Sequence, residues 1–220
     1  MLMKDNLFEE KWGIFKKRSR LFRYIPFVRF VLIAGSMATG RVHEKSDFDV
    51  IVGGRRGRLF TTWFLSALFF EIFGWREKPG RSTTNKFGMS HFVAPGGYKL
   101  TGPYNAYWEN LYRNLVPVLG DEIQITEFFN ANDWLEPKRV YERNVRYVGD
   151  VSTLLKKCFE FILGGRFGNF IEKLLKRWLV KKIQNPARLG YKPRVFCSDE
   201  KLELYRDTKR IEEKLRKGEV

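Results

Sequence analysis

Two aspartates, Asp47 and Asp49, are the residues of this chain whose type and spacing point most clearly to chemistry. They lie two residues apart, so on an extended strand their carboxylates project from the same face. Like charges held that close repel, and a divalent cation between them removes the repulsion. Mg²⁺ prefers oxygen ligands and commonly takes one or two carboxylates together with substrate phosphates. The pair therefore predicts a site for Mg²⁺ or Mn²⁺.

A glycine–serine pair, Gly35 and Ser36, precedes the aspartates and predicts a phosphate-binding turn. Glycine lets backbone amides approach an anion closely, and serine adds a hydroxyl donor where a helix begins. Ser46 is grouped with these nucleotide-binding residues because it could fix the approach to Asp47. A phosphate cradle beside a carboxylate pair suits phosphoryl or nucleotidyl transfer. Either motif alone usually marks a solvated turn or strand edge, so the prediction depends on their combination.

The elements that must position these residues follow from the spacing of apolar residues. Residues 27–34 are dense in β-branched and aromatic side chains, which predicts a buried strand, and 47–52 predict a second. The small residues 35–40 between them indicate a turn into a short helix. Further along, we expect helices over 59–73, 104–118, 151–162, 167–183 and 198–218, and a third strand over 86–93.

The segment GSMATGRVHEKSDFDVIV, from Gly35 to Val52, resembles the signature of the DNA polymerase β-type nucleotidyltransferase superfamily. The resemblance implies that Gly35 and Ser36 hold the triphosphate of a nucleoside triphosphate and that Asp47 and Asp49 bind the metal ions. It implies transfer of a nucleoside monophosphate to a hydroxyl group. The stretches IPFVRFVLIAGSMA, SDFDVIV, FFNANDW and KLELYRDTKR are similar to bacterial and archaeal nucleotidyltransferase-domain proteins that have no assigned substrate.

One departure concerns the third carboxylate, which members of this superfamily usually carry on a later strand. The strand KFGMSHFV has no acid, and Ser90 or His91 falls about where one is expected. Between Ile72 and Gly120 the acids are Glu77, expected in a loop, and Glu109, expected in a helix. A carboxylate from elsewhere could substitute, for instance Glu44, Asp121 or Glu122. His91 could act as a general base because its pKa suits neutral pH, or could lie in the core.

Basic residues dominate the composition, with a formal net charge of +16 over 220 residues. Such a surface attracts polyanions, so RNA or another anionic macromolecule is an expected partner. Arg55 and Arg56 could reach phosphates or form a solvated turn. The helix over 167–183 could bind RNA or lie on an anionic membrane, or its apolar face could pack within the domain. Two cysteines fit a reducing cytoplasm, and no stretch suits stable insertion in a membrane.

Together these features predict an α/β (α+β) nucleotidyltransferase fold, with a short mixed β-sheet flanked by helices on one side and a helical C-terminal region. We expect an N-terminal helical segment over 1–24, a nucleotidyltransferase core over 25–120 and the helical region over 121–220. The predicted function is Mg²⁺-dependent nucleotidyl transfer to an unknown hydroxyl acceptor. The alternative is a catalytically degraded module of the same fold that binds nucleotide or RNA.

Overall fold

The protein is built on a mixed sheet of six strands, and the computed structural model describes residues 2–78, 80–142, 146–185 and 189–217. The strands lie in the order β4-β1-β2-β3-β6-β5 across the sheet. Only β2 and β3 pair in parallel, and the other neighbours are antiparallel. The strands are β1 Val28–Ile33, β2 Phe48–Gly54, β3 Phe87–Val93, β4 Val116–Gly120, β5 Arg194–Cys197 and β6 Lys201–Tyr205.

Helices cover both faces of this sheet, because the three central strands are apolar on both sides. A parallel connection needs a crossover, which α3 supplies between β2 and β3. The helices are α1 Leu2–Ser19, α2 Gly35–Thr39, α3 Leu59–Ile72, α4 Ala106–Arg113, α5 Glu122–Ala131, α6 Leu154–Gly164, α7 Arg166–Ile183 and α8 Lys209–Lys217, with a 3₁₀ helix at Arg20–Tyr24. None of the described helices is long and apolar enough to cross a membrane.

The two faces of the sheet carry separate apolar clusters. One cluster joins β1 and β2 to aromatic residues of α1 and α3, including Phe15 and Phe60. The second lies under α4 and α5 around Tyr112 and Phe128. The expectation of helices on one side of the sheet is therefore wrong. The side chains of β1 show the reason, because Val31 and Ile33 face the first cluster whereas Phe30 and Leu32 face the second.

The strand and helix boundaries agree with the sequence predictions up to residue 113 and again in α6 and α7, and they depart from the predictions at β4 and beyond α7. The helix expected over 104–118 ends at Arg113, and Val116–Gly120 form the edge strand β4. Pro117 is the physical reason, since proline has no amide hydrogen for a helix interior but fits an edge strand.

The C-terminal region is not purely helical, which corrects the expectation for 121–220. The helix predicted over 198–218 is replaced by β6, a turn and α8, and Gly218 lies outside the described residues. Ser198 does not cap a helix, because its hydroxyl accepts the Lys201 amide in the β5–β6 turn at 3.0 Å. In β6 the apolar Leu202 and Leu204 alternate with the charged Lys201 and Glu203, and that period of two is typical of a strand.

Candidate functional site

Asp49 and Gly35 meet at the end of β1, where the chain turns into α2. The Asp49 carbonyl accepts the Ala34 amide at 2.9 Å, which brings the start of β2 against this turn. Gly35 has φ +64°, a conformation that L side chains rarely adopt. A Cβ at Gly35 would lie 2.5 Å from Asp49 Oδ2. The carboxylate therefore occupies the space beside a residue that only glycine fits.

Glu77 brings a second carboxylate to Asp49. Gly88 of β3 is in register with Asp49, and its missing side chain leaves room above the strand. A Cβ built on Gly88 would lie 3.2 Å from Glu77 Oε2 and 3.4 Å from Asp49 Oδ1, so both oxygens approach one point. The Glu77 amide donates to the Phe87 carbonyl at 3.0 Å, which fixes Glu77 beside the first residues of β3.

Sequence reasoning placed Glu77 in a loop and did not assign it to the site. The structure shows a parallel bridge between Arg76 and Phe87, so this segment runs along β3 as a short extended piece. The sequence did contain a signal that could have identified Glu77. Between Ile72 and Gly120 the chain has only two acidic residues, Glu77 and Glu109, so these were the nearest candidates for a carboxylate beside β3. Glu109 lies in α4 and pairs with Arg113 at 2.8 Å, so of these two Glu77 reaches Asp49.

Asp47 immediately precedes β2 and is half-buried beside a lysine that the sequence analysis missed. The Lys11 ammonium of α1 is buried and donates to the Glu44 carbonyl at 2.8 Å, the Ser46 carbonyl at 3.2 Å and Asn85 Oδ1 at 2.8 Å. Burial lowers the pKa of Lys11, while the carboxylates of Glu10, Asp47 and Glu44 raise it. Lys11 therefore holds the turn that immediately precedes Asp47.

The two serines predicted to bind nucleotide have different positions. Ser36 is half-buried in the first turn of α2, next to Gly35. Ser46 is 2 % exposed, and its hydroxyl accepts the His43 amide at 3.0 Å. The buried Ser46 hydroxyl therefore closes the turn before Asp47, and a contact with nucleotide stays a prediction.

His91 lies in the core, which is one of the two positions that the sequence left open. Its Nδ1 lies 3.1 Å from the Tyr205 hydroxyl and its Nε2 3.4 Å from the Tyr112 hydroxyl. Burial, together with the positive charges of Lys201 and Arg194, lowers the pKa of His91 to about 3. The imidazole is thus neutral at physiological pH and only weakly basic. The neighbouring Ser90 is half-buried in β3.

Arg55 and Arg56 do not belong to this site. They follow β2, whereas Asp49 lies near its beginning, so roughly 20 Å of extended chain separates them. Arg55 lies over the Phe27 ring, with its Cζ 5.8 Å from the centroid. Arg56 pairs with Glu200 at 2.9 Å. The contact of either arginine with phosphates of a nucleotide or an RNA stays a prediction.

The substitutes considered for the third carboxylate are also placed elsewhere. Asp121 follows β4 and caps α5, where Oδ1 accepts the Ile123 amide at 2.8 Å. Its own amide donates to the Arg29 carbonyl at the beginning of β1, the end opposite to Gly35. Glu122 is the next residue of the same cap, and Glu44 is exposed in the turn held by Lys11.

Asp49 and Glu77 are the side chains of this site that could hold a metal ion. Over the ranges of the chain that the structure describes, no group of three or more histidine, cysteine or acidic residues is placed to hold a metal ion. Two convergent carboxylates beside an open glycine nevertheless fit a cation that takes its remaining ligands from substrate phosphates and water. The donor set suits Mg²⁺ or Mn²⁺, since each donor is an oxygen.

Comparisons with known proteins leave this geometry as the basis for inferring a function. No protein-family model, no curated protein and no solved structure matches the chain.

Proposed function

We propose that this protein is a Mg²⁺-dependent nucleotidyltransferase that uses the fold of the DNA polymerase β-type superfamily. The observation that carries the proposal is the convergence of Asp49, Gly35 and Glu77 at one end of the sheet. The backbone at Gly35 and the hydroxyl of Ser36 would receive the triphosphate. Asp49 and Glu77 would hold the metal, which would neutralise charge on the phosphates.

The reaction follows from a triphosphate bound in this orientation. The oxygen of an acceptor hydroxyl forms a bond to the α-phosphorus, and the bond from that phosphorus to the bridging oxygen of pyrophosphate breaks. The hydroxyl proton passes to a carboxylate, and Glu77 is our candidate because His91 is buried and weakly basic. Pyrophosphate leaves with the electron pair of the broken bond. A net charge of +16 favours RNA or another anionic macromolecule as the acceptor.

A transfer assay tests the proposal directly. The protein is incubated with nucleoside triphosphates labelled at the α-phosphate, Mg²⁺ or Mn²⁺, and a mixture of cellular RNA and protein. We expect label to enter one fraction with the wild type and not with Asp47→Asn plus Asp49→Asn. Asp133→Asn is the matched control, since this aspartate is exposed and pairs with Lys99. Equal labelling by the double variant and the wild type would contradict the proposal.

The second candidate is a nucleotide-binding module of the same fold without turnover. The lack of a three-ligand cluster in the described ranges favours it, because a missing metal ligand or base costs a factor of about 10² to 10⁴ in rate. Binding of a fluorescent nucleotide that Asp49→Asn abolishes, with no label transferred by the wild type, would support the module. Transfer that depends on Glu77 would exclude it.

A further inference from the structure

The helical hairpin of α6 and α7, residues 154–183, has an inverted arrangement of polar and apolar side chains. Two of the three charged residues of α6 point inward: the side chain of Lys156 is 3 % exposed and that of Glu160 is 17 % exposed, whereas Lys157 is exposed. Lys156 donates to the Val28 and Val151 carbonyls, and Glu160 accepts the Phe27 amide at 2.7 Å. The polar side chains of α6 therefore attach it to the beginning of β1.

The outward face of α6 is apolar. Leu154, Cys158 and Phe161 follow one another at helical spacing on this face, and Leu154 is 80 % and Phe161 88 % exposed. Ile162 extends the face to the turn between the helices. A soluble helix usually buries such a stripe. Clusters of large exposed apolar residues mark interaction or membrane surfaces.

The apolar surface continues along one side of α7. Phe167, Phe170, Leu174 and Trp178 recur at helical spacing, and each is between 45 % and 65 % exposed. The inward side of this helix is formed by other residues, including Leu179 and Ile183. Of the face that the sequence allowed to pack within the domain, Phe170 and Leu174 are thus exposed, whereas Leu175 packs against the core and the Trp178 ring lies 6.0 Å from that of Trp63.

The exposed charges of the hairpin are all basic. Its two acids face inward: Glu172 accepts the Phe60 and Thr61 amides, each at 2.8 Å, and Glu160 is held at β1. A surface depression of about 400 Å³ on α7 is lined by four cations. The exposed basic residues are Lys157, Arg166, Lys173, Arg177 and Lys181.

We propose that the α6–α7 hairpin docks on the surface of an anionic lipid bilayer, with Phe161 and Phe170 entering the interfacial region and the basic residues facing acidic headgroups. Phe, Leu and Trp beside Lys and Arg are the composition of helices that lie in a membrane interface. The positive rim complements the negative surface potential of such a bilayer. The helices lie on the surface without crossing it, and the inference does not depend on the proposed function.

Two other occupants fit the surface less well. A second copy of the chain would bring the same basic rim against itself, and like charges across an interface oppose association. RNA would satisfy the cations and could stack on the exposed aromatic rings, but it would leave the aliphatic side chains of Leu154, Ile162 and Leu174 without an apolar partner.

Vesicle flotation with matched variants tests the proposal. We expect the protein to float with phosphatidylcholine vesicles that contain phosphatidylserine and not with phosphatidylcholine alone. Phe161→Ser plus Phe170→Ser should reduce the partition coefficient at least about tenfold, because both rings lose their burial in the interface. Ile123→Ser, at a side chain of α5 that is 71 % exposed, should leave flotation unchanged.

Two double variants that lose the same charge distinguish binding by the hairpin from binding by the overall positive charge of the protein. Arg177→Gln plus Lys181→Gln should weaken flotation more than Lys138→Gln plus Arg216→Gln, which removes the same charge elsewhere.

The emission of a polarity-sensitive dye attached to Cys158 should shift to the blue on anionic vesicles. Burial raises the pKa of the Cys197 thiol to about 11, so the dye reacts first with the exposed Cys158.

Three results would overturn the proposal. One is no flotation with anionic vesicles at low salt. Another is flotation that the double phenylalanine variant retains in full, which would mean binding by net charge alone. The third is a wild-type dimer in light scattering that becomes a monomer in the same variant, since that would assign the surface to a second copy.

Discussion

Replacing Gly35 by alanine tests whether the turn and the Asp49 carboxylate form one site, and Gly40 provides a matched control. Both glycines belong to α2 or its C-terminal cap and have positive φ, +64° for Gly35 and +74° for Gly40. Alanine at either position costs about 1–2 kcal/mol of folding free energy because of the left-handed backbone. Nothing lies within 4 Å of a Cβ at Gly40.

At Gly35 the new methyl group would also displace the carboxylate. Its Cβ would lie 2.5 Å from Asp49 Oδ2, so the oxygen must move by about 1 Å to reach ordinary contact distance. A misplacement of about 1 Å in a catalytic site costs on the order of 100-fold in rate. We therefore expect Gly35→Ala to lose about 100-fold in nucleotidyl transfer relative to Gly40→Ala, at similar stability in urea unfolding. Equal transfer rates in the two variants would refute the reasoning.

Three further changes test other parts of the account. Glu77→Gln should lower the rate of transfer by a factor of about 10² or more, since it removes a metal ligand and the proposed proton acceptor. The melting temperature should stay unchanged. Transfer at the wild-type rate would exclude Glu77 from the site. For His91, the folded pKa of about 3 lies below the ordinary 6.5. The unfolded chain then binds more protons as the pH falls from 6.5 towards 3, and the free energy of unfolding drops by roughly 1.4 kcal/mol per pH unit. Urea titrations should show this slope in the wild type and a shallower one in His91→Gln; parallel slopes would contradict it. Lys11→Met should cost about 2 kcal/mol by removing three hydrogen bonds to the turn before Asp47, whereas the exposed Lys17→Met should change stability little in thermal unfolding.

The central strands could be predicted from the sequence because their apolar runs are buried on both faces. β1, β2 and β3 lie within about two residues of the expected bounds. The edge strands could not be predicted this way, since β4 contains a proline and β6 carries Lys201 and Glu203. In β6 these charged residues are buried through contacts distant in sequence: Arg194 pairs with Glu203 at 2.6 Å, and Lys201 reaches Thr101 Oγ1 at 2.9 Å.

The candidate site likewise contains contacts that the sequence predicts and contacts that it does not. The approach of Gly35 to Asp49 could be expected, because a short turn connects neighbouring strands. The approach of Glu77 could not, because it depends on a bridge from a loop to β3 and on the space above Gly88. The burial of His91 depends on Tyr112 and Tyr205, from α4 and β6.

The most direct measurement is a crystal structure with a non-hydrolysable nucleoside triphosphate and Mg²⁺. The account predicts phosphate oxygens at the Gly35 amide and the Ser36 hydroxyl, with Mg²⁺ bound to carboxylate oxygens of Asp49 and Glu77. A triphosphate bound elsewhere, or a metal ion that neither carboxylate contacts, would contradict it.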